Sequence, residues 1–192
     1  MSELGRIYWS RKLLKLSYSV VVLWLGWSII SPFMTGSLVS TPSSGPAGVS
    51  AASDILFSLG QQVVAAAATP GLLLLTLGIT AGFITARDAR RRDPLRRFTK
   101  QQRREGMARA GGQCELGVGA RRCSRAAEHG DHFYPWSKGG TTSLQNFVAA
   151  CSRCNRTKSA RIPSPTLQKR IERRRLAAGA DAPAMLVGER RG

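Results

Sequence analysis

The sequence predicts a molecule in two parts: an α-helical transmembrane hairpin, then a small α+β domain held together by a metal. Three observations lead there. Between Ser17 and Ala86 the only formally charged residue is Asp54, whereas Arg and Lys are dense from Arg87 onward. All four cysteines, Cys114, Cys123, Cys151 and Cys154, fall in the basic half. That half has few large apolar side chains, and a domain of about 75 residues so composed needs a staple beyond its core.

The first apolar run, "LSYSVVVLWLGWSIISPFMTGSLV", follows Arg6, Arg11, Lys12 and Lys15. It exceeds the roughly 20 residues that cross a hydrocarbon core. A signal peptide shares the basic start and the apolar stretch, but it does not explain the second run that follows. "STPSSGPAGVSAAS", residues 40–53, has the Ser, Pro and Gly content of a loop. Residues 55–86 then run without a charge. Two starts are open for this helix: near Thr69-Pro70, with Pro at the first helical position, or near Ser53 with a kink at Pro70. The span itself is expected over roughly 64–86. A buried soluble hairpin would need a polar face, and neither segment has one.

Basic residues flank both spans on the outside, and the connecting loop has no Lys or Arg. The positive-inside rule therefore places both termini in the cytoplasm and the chain in the cell membrane. The arginine run 87–104 suits anionic headgroups as well as it suits DNA. The formal charge of +18 and the pI near 11.4 point the same two ways. No internal repeat or nucleotide-binding glycine loop is present.

Cys114 and Cys123 enclose "ELGVGARR", and Cys151 and Cys154 form a CxxC. In a secreted chain this even count would suggest two disulfides. In a reducing cytoplasm, two thiolate pairs suit a tetrahedral structural zinc site.

The stretch "CELGVGARRCSRAAEHGDHFYPWSKGGTTSLQNFVAACSRCNRTK" resembles the HNH endonuclease family, in its zinc-bearing ββα-metal branch. The positions that carry the resemblance are Asp131-His132, Pro135, Gly139-Gly140, Asn146, Cys151, Cys154, Asn155 and Lys158, over about residues 105–160. It implies a first strand bearing Asp131 and His132, a loop over 134–145, a second strand over 146–150, and a helix starting near Ser152. The Gly139-Gly140 turn signal and the apolar run "NFVAA" agree with this independently.

The implied activity is hydrolysis of DNA phosphodiesters, with RNA left open. Histidine can take a proton near neutral pH, so His132 is the expected general base. Asp131 and Asn155 are the ligands the family implies for a catalytic divalent ion. Asn155 stands where the family often has His, which favours Mg²⁺ or Mn²⁺ over a softer metal. Asn146 is expected to order the loop behind His132, and His129 to be an ordinary strand or loop residue. Arg153, Arg156, Lys158 and Arg161 are candidate phosphate contacts, which supply affinity without reading sequence. The rival reading is a membrane-tethered zinc module that binds nucleic acid without cutting it.

The expected division is a basic N-terminus (1–16), transmembrane helices over 17–39 and 63–86, and an extracytoplasmic loop (40–62) between them. A basic linker (87–104), the nuclease domain (105–162) and a basic helix and tail (163–192) follow. In this last part a helix is expected over about 166–178 with Thr166 as a possible cap, and "DAPAMLVGERRG" as a frayed end.

Overall fold

The computed structural model describes residues 3–34, 49–117 and 121–191. Residues 35–39 of the first expected span, 40–48 of the expected loop and 118–120 between the first two cysteines lie outside the described residues. The chain divides into two compact units, 11–82 and a second formed by 1–10 with 83–192.

The unit 11–82 consists of most of two long helices, α1 (Glu3–Met34) and α2 (Val49–Arg90). Both are long and apolar enough to cross a membrane. Leu16, Val20, Leu23, Trp27, Phe57, Leu72 and Ile79 are exposed on them. Their hydroxyls fold back on the helix: Ser19 Oγ donates to Lys15 O, Thr76 Oγ1 to Leu73 O and Thr80 Oγ1 to Thr76 O. Such self-satisfaction is what an apolar solvent demands of a polar group. α2 begins at Val49, inside the stretch read as loop, and runs on through Pro70. Beyond Pro42 and Pro46, the Ala-, Leu- and Val-rich stretch 51–69 has little to break a helix.

The second unit is built around a two-stranded antiparallel sheet, β1 (His129–His132) and β2 (Phe147–Ala150). Asp131 pairs with Val148, and His132 with Phe147. Side chains alternate across a strand, and β2 is buried on both faces. Val148 and Ala150 join Leu116, Phe133, Tyr134, Ile171 and Val187 in one core, and Phe147 and Ala149 join Ala110 in another. Leu4 of α1 is buried in the first core. α3 (Lys100–Arg109) lies against the second, capped at Thr99 by a reciprocal pair of bonds with Gln102. The Phe147 ring fills the space a side chain would need at Gly106 or Gly130: a Cβ there would lie 2.3 or 2.1 Å from it. The helix α4 (Ser152–Lys158) follows β2 directly. The strand–loop–strand–helix order is the expected ββα arrangement.

Helix α5 (Pro165–Ala177) starts earlier than its sequence suggests, with Ser164 and not Thr166 as its cap. Ser164 Oγ accepts from Leu167 N, and Pro165 takes the first position, where a missing N–H costs nothing. Arg175 of α5 is buried on Glu115 at 2.7 Å and donates to the carbonyl oxygens of Phe147 and Leu186.

The C-terminal residues read as a frayed tail are docked. A short helix, α6 (Ala182–Met185), leads into Val187, which is fully buried. Glu189 accepts from Thr141 Oγ1 at 2.8 Å, and Arg190 pairs with Asp88 at 2.9 Å. One buried valine and a few charged contacts hold such a segment without giving it any periodicity to read.

Candidate active site and metal centre

The four cysteines converge from two directions. Cys114 and Cys123 are brought together by a knuckle in which Cys123 N donates to Leu116 O and Cys114 N to Arg125 O. Cys151 caps the N-terminus of α4, and its Sγ accepts from Cys154 N at 3.5 Å. All four sulfurs lie within 4.8 Å of one another, with Cys123 and Cys151 3.9 Å apart, and none is in a disulfide. A Zn–S bond of about 2.3 Å places tetrahedral sulfurs about 3.8 Å apart, so the donor set fits zinc in both chemistry and spacing. The Cys154 backbone N–H pulls the Cys151 thiol down to about 7, towards the thiolate a metal needs. Burial pushes Cys114 and Cys154 up, which a cation at the centre would reverse.

Asp131 and His132 lie next to each other on β1, and Asn155 and Lys158 lie on α4, which packs against that strand. Asp131 Oδ1 accepts the His132 backbone N–H at 2.8 Å. Its Oδ2 accepts from Lys158 Nζ at 2.8 Å. Lys158, expected among the phosphate contacts, thus spends its charge on Asp131 here, and its side chain is only 8% exposed. Arg153, Arg156 and Arg161 are exposed.

The His132 ring is held on two sides. Phe98 lies over it with centroids 4.3 Å apart, and Phe98 in turn meets Phe147 edge-on at 5.0 Å. His132 Nε2 lies 3.1 Å from Thr142 Oγ1, and that hydroxyl donates to Leu95 O. A hydroxyl has one hydrogen, so Thr142 must accept from the ring. The network therefore assigns the proton to Nε2 and leaves Nδ1 as the basic nitrogen. Burial pushes His132 down to about 4; Asp131 opposes this and Lys158 adds to it. At that value the ring is neutral at pH 7, and burial makes it a weaker base than a free imidazole.

Thr142 is itself fixed by the segment before α3. Its N–H donates to Asp93 Oδ2 at 2.9 Å, while Asp93 Oδ1 accepts from Leu95 N. Those bonds, the one from Thr142 first, hold the Asp93 carboxyl below its ordinary range. Trp136 Nε1 donates to Asp93 O, and Arg92 and Arg96 stack over the Trp136 ring. Sequence reasoning missed Asp93, Phe98 and Thr142. No local motif marks them, because each acts on a partner at least ten positions away.

Asn146 is fully buried and saturated. Its Oδ1 accepts from the N–H groups of Tyr134 and Glu189, and its Nδ2 donates to Tyr134 O and Thr141 O. It ties Tyr134 and Thr141 of the loop between the strands to the C-terminal segment at Glu189. His129 is exposed, with its Nε2 3.1 Å from Ser152 Oγ.

No curated protein and no solved structure matches the chain. Residues 119–161 match the family model described as HNH endonuclease, which spans both strands, α4 and three of the four cysteines. The two-stranded sheet, α4 and the four-cysteine cluster agree with that match, so the C-terminal part of this chain carries an HNH domain.

Proposed function

We propose that the chain is a membrane-anchored endonuclease that hydrolyses DNA phosphodiesters with a divalent ion and His132 as general base. The observation that carries this reading is the imidazole clamped by Phe98 and Thr142 beside a carboxylate that already attracts a cation. His132 accepts a proton from water at Nδ1, while Phe98 and Thr142 keep its ring from turning. Asp131, through a carboxylate oxygen, and Asn155, through its amide oxygen, would hold Mg²⁺ or Mn²⁺; these are hard ligands suited to such ions. The Lys158 ammonium on Asp131 marks the same place as one for positive charge. When bound, the ion neutralises charge developing on the phosphate and the leaving oxygen. Arg153, Arg156 and Arg161 contribute contacts that do not depend on sequence.

α1 and α2 would span the bilayer, with the nuclease domain on the cytoplasmic side, as the positive flanks favour. In intact cells, a cysteine introduced at Ser44 should then react with an impermeant thiol reagent, while the native four should not. Reaction at position 44 only after permeabilisation would reverse the topology.

The rival reading, a module that binds nucleic acid without cutting it, predicts the same salt-dependent affinity. Plasmid nicking separates them. The purified protein should relax supercoiled DNA with Mg²⁺ or Mn²⁺ and leave it intact with EDTA. Binding without nicking in either metal would favour the rival.

Thr142→Val removes the acceptor at His132 Nε2 and leaves most of the side-chain volume. A lost hydrogen bond of about 1–1.5 kcal/mol corresponds to roughly tenfold in rate. Nicking should slow by that factor with DNA affinity unchanged; an unaltered rate would show that Thr142 does not orient the base.

A further inference from the structure

Apart from the nuclease centre, a cavity of about 340 Å³ opens between the last turn of α3, the chain entering the first cysteine pair, and α5. Its walls carry Arg109, Arg122, Arg174 and Arg175 against one carboxylate, Glu115. That carboxylate is already spent. Its Oε1 accepts from Arg175 Nε at 2.7 Å, and its Oε2 from Arg175 Nη2 at 3.1 Å and from Ala149 N at 2.9 Å. Among the described residues of its lining, Glu115 is thus the one carboxylate facing four guanidinium groups, and its oxygens are bonded to Arg175 and not to Arg109, Arg122 or Arg174.

Backbone carbonyls fix all three in place. Arg109 Nη2 donates to Leu144 O and Phe147 O, and Arg174 donates to Arg170 O and Glu115 O. Arg122 donates to the carbonyl oxygens of Cys114, Ala110 and Gln113. Among the described residues, the buried Nε of Arg109 has no acceptor. Burial, then the charge of Arg175, pushes the Arg109 guanidinium down to about 10; burial and Arg122 push Arg174 the same way. Cations gathered on a concave wall are costly unless an anion joins them. The guanidinium fork matches phosphate oxygens in pairs, and the volume suits a small ligand.

We propose that this cavity is a second site, separate from the nuclease centre, that seats a terminal phosphate monoester on Arg109, Arg122 and Arg174. A concave pocket favours a terminal group over a phosphodiester in mid-strand. The monoester could belong to a free nucleotide or to a nucleic-acid 5′ end.

The test is equilibrium dialysis of radiolabelled inorganic phosphate against the full chain in uncharged detergent, at matched chloride. Saturable uptake is expected. Arg174→Gln should weaken it about tenfold or more, since a charge-assisted bond is lost. Arg174→Lys, with the charge but not the fork, should fall between, and Asp131→Asn should match the wild type. Retained zinc shows that a variant is folded; if Arg174→Gln loses zinc, the Lys variant and the wild type decide. Competition by a mononucleotide or by a 5′-phosphorylated duplex identifies the source. Three outcomes would overturn the proposal: no saturable uptake by the wild type; uptake lost in Asp131→Asn but kept in both Arg174 variants; or equal competition by a duplex without terminal phosphates.

Discussion

Removing zinc should unfold the HNH domain. The sulfur cluster joins the knuckle at Cys114 and Cys123 to the first turn of α4, and so connects the chain before β1 to the chain after β2. Structural zinc in comparable small peptides carries apparent binding energies of roughly 10–16 kcal/mol, as large as the whole net stability of an ordinary domain. The core here is two short strands with a handful of large side chains, so little remains when the metal leaves. Hydrogen exchange on Phe147–Ala150 in the full chain provides the measurement. Chelation should abolish the protection of these amides and zinc should restore it. Cys151→Ser should reproduce the loss, because that sulfur both caps α4 and is one of the four clustered donors. Protection that persists in metal-free protein would refute the staple.

The other large effect is expected from His132→Ala. Positioned proton transfer contributes about 10²–10⁴-fold to such reactions, and the cleavage rate should fall by that much. Zinc content and DNA affinity should hardly move, because His132 belongs neither to the thiolate cluster nor to the exposed arginines. Asp131→Ala should be as severe by a different route, since it removes a ligand oxygen, and excess Mn²⁺ should recover part of the rate. It also strands the Lys158 ammonium, whose side chain is 8% exposed, so some stability should be lost with it.

The domain type and the cysteine cluster are legible in the sequence because their signals are local. Asp131 and His132 are neighbours, the CxxC spans one helical turn, and Gly139-Gly140 marks a turn on its own. The missed features join distant positions. The run 87–104 reads as a basic linker, yet its aspartates do the anchoring: Asp88 holds Arg190 and Asp93 holds Thr142. Its net charge conceals them. The C-terminal residues lack periodicity, but Val187 needs only one apolar contact surface to be buried. The cap of α5 shows the limit at short range. Both Ser164 and Thr166 are good caps by type, and Pro165 decides between them by claiming the first helical position. Likewise, nothing in 49–62 distinguishes a loop from the opening turns of α2, because Ala- and Ser-containing stretches serve in both.

The central claim is that the Asp131-His132 pair on β1 does the cutting. The most direct measurement is the initial rate of plasmid nicking in Mn²⁺ for His132→Ala and His129→Ala, prepared alongside the wild type and matched for zinc. His129 is exposed, and among the described residues its ring has Glu128 and Ser152 as polar partners, so its variant should nick at close to the wild-type rate. His132→Ala should be slower by at least about a hundredfold. A fully active His132→Ala protein beside an inactive His129→Ala protein would contradict the account and assign the base to the other histidine.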